Sequence, residues 1–217
     1  MHGRAIIFCV FVAVFSAIAA VYSQTKPAAK TIFRDSDGNL ISNNEFVDIR
    51  MANFHMPDRT LSQTLQDGTI EFRLQKIPQE GADAPVFSSE FIDGTAVNFK
   101  DLRGKVVVLN FWFIGCPACR YETPKLNSLV NRFAGNTDVV FIAMTYDTAA
   151  AVRKYMAANR FDYKMIADAQ PSLRQFVVGG YPKNIVIGKN GKIVFWRSTI
   201  SAWDKFNSVI QAELDKK

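Results

Sequence analysis

The 217 residues hold only three cysteines and two histidines. A structural zinc site takes about four such ligands, so little is available to build one. Nor is there a run of lysine or arginine. Basic residues number 26 against 20 acidic ones, a net charge of +6, but they are scattered. That is mild basicity, useful for solubility or acidic partners, without the clustered charge of a nucleic-acid binder. Wholesale disorder is excluded too. With 48% hydrophobic and 21% charged residues, the composition is globular. The length suits one domain of ordinary size plus something extra.

The extra begins at the start. "MHGR" is basic, "AIIFCVFVAVFSAIAAVY" is apolar and uncharged, and "SQTKPAAK" turns polar. This is the pattern of a secretory signal over residues 1–23, with a cut expected at Ser23–Gln24. The alternative is a retained anchor, because Ala5 to Tyr22 is 18 residues, the lower limit for crossing a bilayer. Cys9 lies inside the apolar run, far from the cut, and is not placed like a lipid-attachment cysteine. Losing residues 1–23 removes Cys9 and Arg4 and leaves a net charge of +5. It also leaves Cys116 and Cys119 as the only cysteines, with His55 as the only histidine.

Residues 24–80 are expected to form a small β-rich extension of unknown role. Asp37-Gly38 in "TIFRDSDGNLIS" marks a hairpin. "TIEFRLQ" alternates Ile70, Phe72 and Leu74 with Glu71, Arg73 and Gln75, as a half-buried strand does. "MANFHMPDRTLSQTLQDG" has no clear period. "IPQEGADAP" marks a boundary, and residues 81–217 form the main domain. There Asp93-Gly94 marks a second hairpin. "KVVVLNFWF" and "DVVFIAMTY" are continuous apolar runs, as in strands buried on both faces. Leu126, Leu129, Val130 and Phe133 share one helical face, and Pro124 is expected to kink that helix. "TAAAVRKYMAAN" and "QPSLRQFVV" are expected helices, with the short strand "YKMIAD" between them. Asn190-Gly191 joins two late strands, and Trp203, Phe206, Ile210 and Leu214 stripe a final helix. The order predicts an α/β fold with a mixed central sheet flanked by helices.

Cys116 and Cys119 stand between the first buried strand and the helix after it. Cys116 is expected at the helix start, where unpaired N–H groups and the dipole favour a thiolate. Pro117 fits the first turn, where its missing N–H costs nothing. Cys119 follows one turn on and is expected to be the more buried. The thiolate is the attacking species in disulfide exchange. Cys116 would therefore attack a substrate disulfide, and Cys119 would resolve the mixed disulfide. A passive staple is the alternative, but so short a loop restrains the unfolded chain little. Glu122, three residues past Cys119, shares its helical face. It could relay the proton that Cys119 must lose, or be only a solvated or capping carboxylate.

The stretches "GADAPVF", "GKVVVLNFWFIGCPACRYETPKL" and "GGYPKNIVIGKNGKIV" resemble the TlpA/ResA-type thiol–disulfide oxidoreductases. These are thioredoxin-like proteins related to the redoxin and AhpC/TSA group. Asn110-Phe111-Trp112, the cysteine pair, Arg120, Glu122 and Pro124 carry the likeness, which runs from about Gly81 to the C-terminus. It implies a thioredoxin-like fold and a redox-active Cys116–Cys119 disulfide, with neither metal nor organic cofactor. It implies that Pro182 is a cis-proline facing the pair, and that the backbone of Tyr181 binds substrate as a short strand. Trp112 would flank the thiols; its alternative role is a core aromatic. The implied partners are disulfides in other exported proteins, apocytochrome c among them, and a membrane-embedded electron donor. Nucleic acid is not a partner. The periplasm is the expected location, with a membrane tether if the apolar segment is kept. Gly115 before the pair, Pro117-Ala118 within it and the bulk of Tyr181 depart from the usual pattern. Pro117 and Tyr181 flank the site and bear on thiol acidity and substrate access.

Other thiol chemistries fit less well. A Sco-type copper carrier needs a different cysteine spacing and a later histidine, and none follows His55. A peroxiredoxin-like thiol peroxidase places threonine where Phe113 stands. A non-catalytic thioredoxin-fold binding module is the remaining alternative.

Overall fold

The computed structural model describes residues 29–217; the predicted signal segment lies outside them. The chain opens with β1 (Thr31–Arg34) and β2 (Leu40–Ile41), antiparallel and joined through Gly38 at φ +90°. A helix, α1 (Asn43–Met51), comes next, then β3 (Leu61–Thr64) and β4 (Ile70–Arg73). The four strands form one sheet in the order β2-β1-β4-β3, with β1 and β4 parallel. Phe46 of α1 packs on Phe33 and Phe72 of this sheet, at ring distances of 4.5 and 6.1 Å.

Two details differ from the sequence expectation. The extension contains a helix as well as strands. In β4 the buried side chain is Glu71, while Ile70 and Phe72 are half-exposed. Burial of Glu71 is tolerable because it is paired: Arg34 Nε donates to it at 2.8 Å and Gln63 Nε2 at 3.0 Å.

A short hairpin follows, β5 (Ser88–Glu90) and β6 (Ala96–Asn98). The main body then runs β7 (Val106–Trp112), α2 (Pro117–Arg132), β8 (Val139–Thr145), α3 (Ala149–Met156), β9 (Lys164–Ile166), α4 (Gln170–Gln175), β10 (Lys183–Ile187), β11 (Ile193–Arg197) and α5 (Trp203–Leu214). Its five-stranded sheet has the order β11-β10-β7-β8-β9. β7, β8 and β9 are parallel, and β10 is antiparallel to both its neighbours, which is the expected mixed sheet.

Alternation along β7 divides the core between two layers. Val106, Val108 and Trp112 face one layer with Leu126, Leu129, Phe206 and Ile210. Val107, Leu109 and Phe111 face the other with Ile142, Ile185, Trp196 and Ala52. The cysteines belong to the first layer and the end of α1 to the second. α2 continues unbroken through Pro124.

Candidate active site

β7 ends at Trp112, and four residues later Cys116 becomes the N-cap of α2, with Pro117 in the first turn. Cys116 and Cys119 form a disulfide, S–S 2.03 Å. Cys116 Sγ also accepts the N–H of Cys119 at 3.1 Å. The reason is local: an N-cap side chain faces the orphan N–H groups of the first turn, which favour negative charge. The two cysteines do not differ in depth as expected. Each is 3% exposed, because both sit against the same apolar layer.

Asp147 braces the loop between β7 and α2. Its Oδ2 accepts the N–H of Ile114 at 2.8 Å and the hydroxyl of Thr145 at 2.7 Å. Trp112 lies in the cysteine layer. Its ring packs on Tyr155 and Phe161, and its Nε1 donates to Met165 Sδ at 3.2 Å.

The Tyr181-Pro182 bond is cis. Lys183 pairs with Phe111 across β10 and β7, so Pro182 is level with Trp112, where the strand gives way to the cysteine loop. Tyr181 is half-buried and meets Phe113 at 5.5 Å and Tyr146 at 5.7 Å. Burial raises the Tyr181 phenol above its ordinary range, helped by Tyr146 and Asp147.

Glu122 is 3% exposed, which removes the solvated-carboxylate alternative. Its carboxylate accepts Asn184 Nδ2 at 3.0 Å and the N–H of Ile200 at 2.6 Å. Asn184 is held in turn, accepting from Asn110 Nδ2 at 2.9 Å and donating to Ser198 O at 2.9 Å. Burial pushes Glu122 from 4.5 up to about 7. The hydrogen bonds from Asn184 and Ile200 oppose the rise, Asp48 adds to it, and Lys125 opposes it.

The extension reaches this region. Lys183, fully buried and next to Pro182, donates through Nζ to Ala52 O and to Ser198 Oγ, the latter at 2.9 Å. A Cβ at Gly179 would come within 2.4 Å of the His55 ring, and one at Gly180 within 2.3 Å of the Phe54 ring. The glycines thus let residues 54–55 lie directly on the loop that leads to Tyr181. Among the described residues no group of three or more His, Cys, Asp or Glu could hold a metal.

Sequence reasoning missed Asp48, Lys183, Asn184 and Asp147. A usable signal existed for two of them. Lys183 and Asn184 interrupt or border the apolar run "KNIVIG", and a polar residue in a buried strand needs a partner. Asp48 and Asp147 carried no such mark.

A Cys-x-x-Cys pair at disulfide distance, seated between a buried strand and the helix after it, fits the thioredoxin-like thiol–disulfide oxidoreductases. Within that class the chain belongs to the AhpC/TSA family, whose model matches residues 81–196. It is 33% identical over 118 residues to the thiol-disulfide oxidoreductase ResA of Bacillus thuringiensis (strain Al Hakam), covering 54% of this chain and 68% of that one. The thioredoxin-like protein YneN of Bacillus subtilis is 29% identical, covering 53% and 69%. Among solved structures, a thiol:disulfide interchange protein from a Bacteroides species aligns with TM-score 0.54 and 26% identity, over 64% of this chain and 92% of that one.

Proposed function

We propose that the protein reduces disulfides in other exported proteins, in the periplasm, with the Cys116–Cys119 pair as its redox group. The observation that carries this reading is Cys116 at the N-cap of α2, bonded to Cys119 and facing first-turn N–H groups. In the reduced protein the Cys116 thiolate attacks one sulfur of the substrate disulfide. A Cys116–substrate bond forms, the substrate S–S bond breaks, and the freed sulfur leaves as a thiolate and takes up a proton. Cys119 then gives its proton to Glu122 and attacks Cys116 Sγ. The mixed disulfide breaks, the second substrate sulfur leaves and is protonated, and the Cys116–Cys119 disulfide remains. Two electrons have passed to the substrate.

A donor must return those electrons, and a membrane-embedded dithiol protein is the proposed source. Export is supported by the basic start and apolar run of residues 1–23, and a tether would follow if that run were kept. Apocytochrome c is the proposed substrate by likeness to ResA-type proteins. In this scheme Pro182 and the Tyr181 backbone form the substrate wall and Pro117 sets the first turn. Trp112 backs the thiols.

Insulin reduction in the presence of a dithiol tests the core of the reading. The parent should accelerate precipitation of the insulin chains, and Cys116→Ser should fall to the uncatalysed background. Full activity in that variant sinks the proposal.

A further inference from the structure

The extension takes no part in the exchange just described, yet one of its side chains lies deep in the molecule. Asp48 of α1 is 2% exposed. Its carboxylate accepts the N–H of Ser201 through both oxygens at 2.9 Å and that of Ala202 at 2.8 Å. The preceding N–H, from Ile200, goes to Glu122 at 2.6 Å. Two carboxylates from distant parts of the chain thus divide three successive amides of one turn. That turn opens α5, whose N-cap residue, Ala202, offers no side-chain cap. Asp48 accepts from the N-cap residue and the one before it, and so anchors the chain where it enters α5.

The arrangement has an electrostatic consequence. A like charge disfavours the ionised form of a buried carboxyl, most strongly where water is excluded. The other groups near Glu122 are few. Lys125, one turn along α2, acts in the opposite sense. Tyr163, just before β9, is fully buried, and its phenol is raised by burial and then by the charge of Glu122. Asn184 on β10 is neutral. The residue before it on that strand, Lys183, is directed to Ala52 and Ser198 instead.

We propose that Asp48 is a positioning residue of the redox site: it shares the turn at Ile200–Ala202 with Glu122 and, through its charge, shifts the pH dependence of disulfide exchange. This rests on the reading of Glu122 as the proton acceptor for Cys119. It gives the extension a role in tuning the reaction, and it makes the charge of residue 48, beyond its hydrogen bonds, the quantity that matters.

Carbon-13 NMR of the glutamate and aspartate carboxyls across pH tests it on the full chain. Asp48→Asn and Asp48→Ser remove the charge but keep an oxygen able to accept a hydrogen bond. Both should move the Glu122 inflection to lower pH. A move of about half a unit would raise the rate of insulin reduction about threefold on the acid limb. Asp48→Glu, which restores the charge, should return the inflection to the parent's position. If the neutral variants fold and Glu122 titrates as in the parent, the proposal is overturned. If neither variant folds, the charge of Asp48 serves the fold and not the tuning of Glu122, and the proposal is overturned as well. Glu122→Gln separates this from the underlying reading. If that variant keeps the parent's pH–rate profile, Glu122 is not the proton acceptor, whatever Asp48 does to its titration.

Discussion

At the scale of single residues, Glu122 shows how burial alters the proton affinity of an ordinary side chain. Its two hydrogen bonds hold it in place, but loss of water dominates and pushes it to about 7. The same shift is a statement about stability. Unfolded, the carboxyl titrates near 4.5; folded, near 7. Between those values the folded state binds more protons, so folding is favoured below pH 4.5 and that advantage is lost as pH rises through 7. The shift corresponds to about 3 kcal/mol at full ionisation. Urea unfolding of the oxidised protein at pH 5 and pH 8 should show the parent losing a sizeable part of that amount. Glu122→Gln, which cannot ionise, should lack this component. An identical pH slope in the two proteins would show that Glu122 ionises without cost.

Among the elements, α1 and the start of β10 are tied together by buried polar contacts. Lys183 reaches Ala52 O and Ser198 Oγ, and Ser198 Oγ in turn donates to Met51 O at 2.9 Å. A buried acceptor left without its donor costs about 1–3 kcal/mol. Lys183→Met should therefore loosen α1 by that order. Hydrogen exchange should quicken at Phe46–Ala52 while β7 and β8 keep their protection; unchanged exchange in α1 would mean that the contacts add nothing. These elements also show what was legible in the sequence. β7 and β8 were plain, since a strand covered on both faces must be apolar throughout. The cysteine pair was plain from its setting at the start of a helix, and the cis bond before Pro182 was implied by the family resemblance alone. α1 was not, because its buried positions include Asp48 beside Phe46, and an amphipathic pattern cannot register a buried charge. The overlooked cue was Ser42-x-x-Glu45, a capping-box spacing whose Ser42 Oγ does accept the N–H of Glu45 at 3.1 Å. Glu71 reversed the expected facing of β4, though not the strand itself, for a similar reason: its partners, Arg34 and Gln63, come from neighbouring strands. Periodicity reports burial of apolar groups; partners that come from elsewhere in the chain lie outside it.

For the molecule as a whole, the question is whether the extension and the thioredoxin-like body behave as one cooperative unit. Their junction is rich in specific contacts. Glu80 pairs with the buried Arg197 at 2.6 Å and accepts the N–H of Trp196 at 3.0 Å. Gly81 donates its N–H to Ile193 O at 2.8 Å. Asn53 accepts from Trp196 Nε1 at 3.2 Å. Ala52 and Ile77 join the apolar layer that contains Trp196. Unfolding the extension alone would strip Asp48 from the turn at Ser201–Ala202, leave Lys183 without Ala52 O and uncover Trp196. Each loss leaves a buried polar or apolar group facing a gap, and together they make a half-folded state costly. The two sheets are therefore expected to melt together. Chemical denaturation followed by tryptophan fluorescence, which reports the main body, and by amide exchange at Phe72, which reports the smaller sheet, should give coincident midpoints. Well-separated midpoints would mean that the smaller sheet can leave with the redox fold intact. Asp48 would then act as a detachable modulator of Glu122, with no part in the permanent framework of the site.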